Sequence, residues 1–277
     1  MRSSEPSTAA IDRTASARAF DLAEHPEGSG QAAAARLPAI IDAIAERHRP
    51  SDKPFFRHLR ALPPAVARDP DLLGDLYLVN QAAMHATRAA VYFLPHLDSP
   101  DLRKRKLQIF IDDDGLPGGD THHHQLSRAF QAIGAVCPIE EQAFDDGTEL
   151  TRHLDARTAA FVRLAKTLYA RSLGPWCVVE TMSDDWMHAL ASALSIHFPA
   201  IVQEPYFADC FDHGVEERHA AEAIAVTQAV LARRPDLLAE TVADARAMAD
   251  ALDGLWVAMD DILRAAVRRH ADTGPSC

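Results

Sequence analysis

The stretch "LAETVADARAMADALDGLWVAMDDILRAA", Leu238 to Ala266, decides the fold class of this 277-residue chain. Its apolar residues Leu238, Val242, Ala245, Ala249, Leu252, Trp256, Met259, Leu263 and Ala266 recur at alternating steps of four and three. An α-helix turns about 100° per residue, so this spacing lays them along one stripe that a core must cover. No proline interrupts it. The pattern predicts a helix of about thirty residues, longer than the usual three or four turns.

Working outward, the same alternation appears at Leu72, Leu76, Val79, Ala83, Ala86, Ala90 and Phe93, which predicts a second long core helix ending near Pro95. Further helical stretches are "LPAIIDAIAERH", "PFFRHLRAL", "DLRKRKLQIFI", "QLSRAFQAIG", "RTAAFVRLAKTLYARSL", "PWCVVETMSDDWMHALASAL" and "VEERHAAEAIAVTQAVLARR". Period-two runs of β-branched residues are missing, and Pro and Gly punctuate the joints. The expectation is an all-α helical bundle. It occupies one domain over residues 35–272, behind a flexible leader over residues 1–34 that is too polar and broken to bury much surface.

An apolar content of 48% can fill a large core, and the net charge of −12 leaves no basic surface for nucleic-acid phosphates or an anionic membrane. No run approaches the roughly 20 apolar residues of a membrane helix, and the N-terminus lacks a signal pattern. Cys137, Cys177, Cys210 and Cys277 are widely spaced without a CxxC pair, which reads as reduced thiols in a cytoplasmic protein.

A bundle of long helices can gather carboxylates and imidazoles in its interior, the arrangement that holds metal pairs. The segment "YFADCFDHGVEERHAAEA" is the richest in such donors. Glu216 and His219 are three apart and Asp212 is seven before His219, so on a continuous helix all three lie within roughly 60° of one face. Acidic residues also favour helix N-termini through the helix dipole, which is the plainer reading. His213 lies about 120° from His219 and joins that face only through a distortion, for which Gly214 is suited.

Glu180 follows an apolar run and is a costly residue there unless it is paired or bound to a cation, whereas Asp184 and Asp185 read as solvent-facing charge. Upstream, "DDDGLPGGDTHHHQL" runs from Asp112 to Leu126. Thr121 is placed to cap the following helix, on which His123 shares a face with Leu126, Phe130 and Ile133, leaving His122 and His124 at the surface. His58, His85, His188 and His197 have less claim, since lone histidines are more often surface or satisfied core residues. His85 and Arg88 are weaker candidates for lining a cavity that reads an anionic substrate.

The order of these elements resembles that of the haem-oxygenase-like di-iron oxidases and oxygenases, whose fold is shared with thiaminase II and pyrroloquinoline-quinone synthase. The likeness covers roughly residues 50 to 270 and rests on an acidic cluster followed by Gly, a histidine, a lone later glutamate, "YF", and an acidic-x-x-His helix. It implies a metal set of Asp113, His123, Glu180, Asp212, Glu216 and His219, the oxygen and imidazole donors that suit Fe(II) or Mn(II). Asp112 or Asp114 could replace Asp113, and His213 could replace Asp212. An aspartate where the family has a glutamate, and Asp212 where it has a histidine, are the two departures.

The implied activity is that of an enzyme with two Fe2+ ions per chain, Mn2+ being an alternative, and O2 as cosubstrate. It oxidises a small metabolite, first among them an amino-acid-like amine by N-oxygenation in a biosynthetic setting. C–C cleavage or desaturation of an amino or fatty acid is the neighbouring option. An external reductant and a homodimeric assembly are compatible with it. Two rivals remain: a metal-free thiaminase-II-like hydrolase using Cys137 or Cys210 as nucleophile, and a non-catalytic helical binding protein.

Overall fold

The computed structural model describes residues 30–114, 121–136, 152–212 and 214–272, with the side chains of residues 112–114 and 209–212 outside the description. The chain is all-α, and among the described residues there is no strand. The helices are α1 (Gly30–Arg47), α2 (Pro54–Arg60), α3 (Pro64–Ala67), α4 (Pro70–Thr87), α5 (Pro100–Asp114) and α6 (His122–Ala132). Then come α7 (Ala156–Arg171), α8 (Gly174–Ser195), α9 (Pro205–Asp212), α10 (Val215–Leu231) and α11 (Leu238–Asp272). α1 begins at Gly30 with Ala33 and Ala34 buried, so its first five residues fall in what the sequence assigns to the leader.

Short polar signals start these helices. Asp69 accepts a hydrogen bond from the Asp71 amide at 3.0 Å at the head of α4, and Asp155 accepts from Arg157 and Thr158 at 2.8 and 3.1 Å at the head of α7. Each satisfies an amide that has no partner inside its helix. Thr121 caps α6 through the His124 amide at 3.2 Å, as its position before the histidines predicts. Prolines open α2, α3, α4 and α8, where a missing N–H costs nothing.

α11 spans 35 residues, and its predicted stripe is buried from Leu238 to Ala266. It packs along α8, α7, α2 and α1. α8 is the central helix, touching α11, α10, α1, α2 and α9. Gly174 makes the close crossing of α8 on α11 possible, because a Cβ there would sit 1.9 Å from the Thr241 carbonyl oxygen. Each fully buried Leu or Met of this interface contributes about 1.5–3 kcal/mol relative to exposure.

Two helix expectations need correction. The stripe from Leu72 to Phe93 is not one α-helix: α4 ends at Thr87 and the chain tightens into a 3₁₀ helix, Arg88–His96, that contains Pro95. The apolar spacing persists across the change because both helix types keep i and i+3 on nearby faces. The segment holding Asp212, Glu216 and His219 is likewise broken. α9 stops at Asp212, and Gly214, with φ of +55°, starts α10 at Val215. The phase that put Asp212 on the face of Glu216 and His219 is therefore lost. No described helix is long and apolar enough to cross a membrane.

Candidate metal centre

α8 and α10 pack side by side, and their contact brings together Glu180, Glu216 and His219. One ligand atom from each lies within 4.8 Å of the other two. Glu216 and His219 are 8% and 4% exposed, and His219 Nδ1 is 3.8 Å from Glu180 Oε2. Carboxylate oxygens and an imidazole nitrogen bind a divalent cation at about 2.0–2.2 Å, so small side-chain movements complete a shared coordination sphere.

Neighbours aim these groups. Ser183, one turn of α8 beyond Glu180, donates to Glu216 Oε2 at 2.6 Å. The Trp176 indole, one turn before it, hydrogen bonds to Glu180. Burial, then the Glu216 charge, pushes the Glu180 carboxyl up to about 8, while Lys106 and Trp176 pull it back. A buried carboxylate pair held in this way is short of positive charge, the deficit a metal ion removes.

His123 stands in the wall of the same cavity as Glu180 and Glu216. Its Nδ1 lies 2.6 Å from Gln81 Oε1, and the Gln81 amide is turned by its own bonds to the His123 carbonyl at 2.9 Å and Ser127 Oγ at 3.1 Å. An amide oxygen only accepts, so Nδ1 carries the proton and Nε2 presents its lone pair. That Nε2 is buried and has no hydrogen-bond partner among the described residues. Burial, with Arg88 and His85 nearby, drives His123 down to about 3, so the ring is neutral. A neutral imidazole fixed by an outer acceptor is the form in which histidines ligate metals.

The cavity has a volume of about 140 Å³. That is close to the roughly 150 Å³ that admits a benzene-sized molecule in an apolar protein interior. Its walls are strongly aromatic: Trp176, Trp186, Trp256, Phe110, Phe161 and Tyr169. All three tryptophans of the chain are there.

Of the sequence-based candidates, the structure gathers Glu180, Glu216 and His219 and sets His123 in the adjoining wall. Asp113 lies in the last turn of α5 and Asp212 at the end of α9, but their side chains fall outside the described residues, as do those of Asp112 and Asp114 and the whole of His213. His122, expected at the surface, lines the cavity with its ring edge-on to Tyr206, whereas His124 is exposed. Arg88 also lines the cavity. Asp185 is not plain surface charge: it accepts from Ser51 N and Oγ at 2.7 and 2.8 Å. His188 has Asp184 one turn away, its Nδ1 3.1 Å from Asp184 Oδ1, and His58 pairs with Asp260 at 2.5 Å. The Cys177 thiol is fully buried against Thr227 Oγ1, 3.0 Å away, and burial pushes it up to about 12, which removes it as a nucleophile. Cys137 lies outside the described residues, as does the side chain of Cys210.

Sequence reasoning missed Gln81, Ser183 and Lys106. Lys106 was detectable: it stands four after Leu102 and three before Ile109, so it shares their buried face inside a helix that reads as basic. Neither the models of known protein families nor the curated protein sequences give a match to this chain.

Proposed function

We propose that this protein is a non-haem iron enzyme of the haem-oxygenase-like di-iron type, using O2 to oxidise a small, largely apolar amine. The observation that carries the reading is the convergence of Glu180, Glu216 and His219 within 4.8 Å, at a cavity that also receives the bare Nε2 of His123. Glu180, Glu216 and His219 would hold one ion. His123 would serve a second, with the carboxylates of the Asp112–Asp114 and Asp212 segments as its further ligands. When bound, iron supplies the electrons and the open coordination positions that O2 chemistry needs.

The chain's own residues supply the rest. Gln81 keeps the proton of His123 on Nδ1, Ser183 orients Glu216, and Trp176 orients Glu180. The aromatic walls exclude bulk water and bind an apolar substrate body, and their ring faces suit a positively charged amine. The donor set, rather than a nucleophile, is what favours this reading over a thiol hydrolase.

The test is anaerobic addition of Fe(II) followed by O2. The expected result is uptake of about two ions per chain, and a transient visible absorption on oxygenation. Glu180→Ala and His219→Ala should each lose most of that uptake while keeping the wild-type circular dichroism. Unchanged iron binding in both variants would falsify the proposal.

A further inference from the structure

Among the described residues Lys106 is the largest charged side chain sealed in the core, with 0% exposure. It is one of four lysines in a chain with 28 basic residues, and the others are placed conventionally: Lys53 pairs with Asp253 at 2.5 Å, Lys104 is exposed and Lys166 is half-buried. Lys106 Nζ has no hydrogen-bond partner among the described residues. It lies 3.5 Å from the centroid of the Trp176 ring and 5.5 Å from that of Phe110. Contact with an indole face is worth about 2 kcal/mol when desolvated. Removing an ammonium from water costs several kcal/mol, so the ring does not compensate for the burial.

The site around this amine is chemically specific. Trp176 links Lys106 to the metal candidates, since its ring lies against Nζ and its N–H bonds to Glu180, whose charge acts on the lysine. Phe110, Trp176 and Glu180 all belong to the cavity wall. Burial drives the amine toward its neutral form, down to about 7, which leaves a nucleophilic lone pair in an apolar pocket. Bulky electrophiles cannot reach a sealed Nζ. Carbon dioxide is small and apolar, and needs no aqueous channel.

We propose that Lys106 is a carbamylation site whose amine takes up CO2 and thereby places a further oxygen ligand for the candidate metal centre on α5. Nζ bonds to the carbon of CO2, one C–O π pair moves onto oxygen, and one proton passes from the nitrogen to the buffer, with no oxidant or reductant. The product anion could not persist in this pocket alone. Within range of the Glu180 charge and across the Trp176 ring, it would have the cation of the centre as partner, so the ligand role rests on the metal reading above.

The full-length protein with [13C]bicarbonate tests this, loaded with diamagnetic Zn(II) for the NMR spectra and titrated with Co(II) for affinity. Wild type should show a carbamate 13C resonance that is missing in Lys106→Met, and bicarbonate should raise Co(II) affinity roughly tenfold or more over CO2-stripped buffer. Lys106→Met should lose that response while still melting cooperatively. Lys106→Ala should regain Co(II) affinity when propionate is added in place of the missing carboxylate. If the resonance is missing in wild type, or Co(II) uptake is indifferent to bicarbonate, the carbamate is overturned and the metal reading stands. If wild type takes up no Co(II) in either buffer, it is the metal reading that fails.

Discussion

Gln81 sits on α4, remote in sequence from His123, yet it decides which nitrogen of that ring is available. Replacing it with leucine keeps the bulk and removes the acceptor, leaving a buried N–H without a partner. Gln81→Leu should lower stability by about 1–3 kcal/mol in chemical denaturation and weaken Co(II) binding about tenfold in titration. Gln81→Glu, which still accepts, should lose less affinity. An effect on stability with Co(II) affinity untouched would show that His123 is not a ligand. His123 itself was legible because Leu126 and Phe130 fix its face. Gln81 was not, because a glutamine on an apolar helix announces its partner only when the facing helix is known.

Among the helices, regular spacing was legible and its interruptions were not. The stripe from Leu238 to Ala266 needs only the helical repeat, and it is buried as expected. The stop at Asp212 and restart at Val215 depend on one left-handed glycine, which sequence spacing treats as another residue in the count. Glu216 and His219 survive that error because both lie in α10. Glu180 was ambiguous between a helix boundary and an interior position until α8 was seen to run from Gly174 to Ser195 around it. The start of α8 is as constrained as its middle. Gly174→Ala places a methyl group against backbone rather than a movable side chain, so α8 must shift on α11. The expected cost is about 1–3 kcal/mol or more in urea unfolding, together with weakened Co(II) binding, because Glu180 moves with its helix.

At the scale of the whole molecule, buried titratable groups tie folding to pH with opposite signs. Glu180 is raised from 4.5 to about 8, so between those values the folded state holds a proton that the unfolded chain has released, and its contribution to stability is lost as pH rises through that window. Lys106 is lowered from 10.5 to about 7, so its burial penalty is present below pH 7 and is relieved as pH climbs toward 10.5. His123, lowered from 6.5 to about 3, costs stability as pH falls across that interval. Metal-free protein should therefore melt at a lower temperature at pH 8 than near pH 6, and Glu180→Gln should flatten that decline. Co(II) should reverse it, stabilising more at pH 8, where the carboxylate it requires is formed. A decline of equal slope in Glu180→Gln would assign the effect to other groups.

The aromatic wall has an optical consequence as well. Because Trp176, Trp186 and Trp256 exhaust the chain's tryptophans and all face one cavity, the entire indole emission of the protein originates at that wall. Two of these rings come from α8 and one from α11, so the emission colour follows the docking of the two longest described helices during folding. In the folded state it follows whatever enters the space between them, which makes the protein its own unlabelled reporter of occupancy.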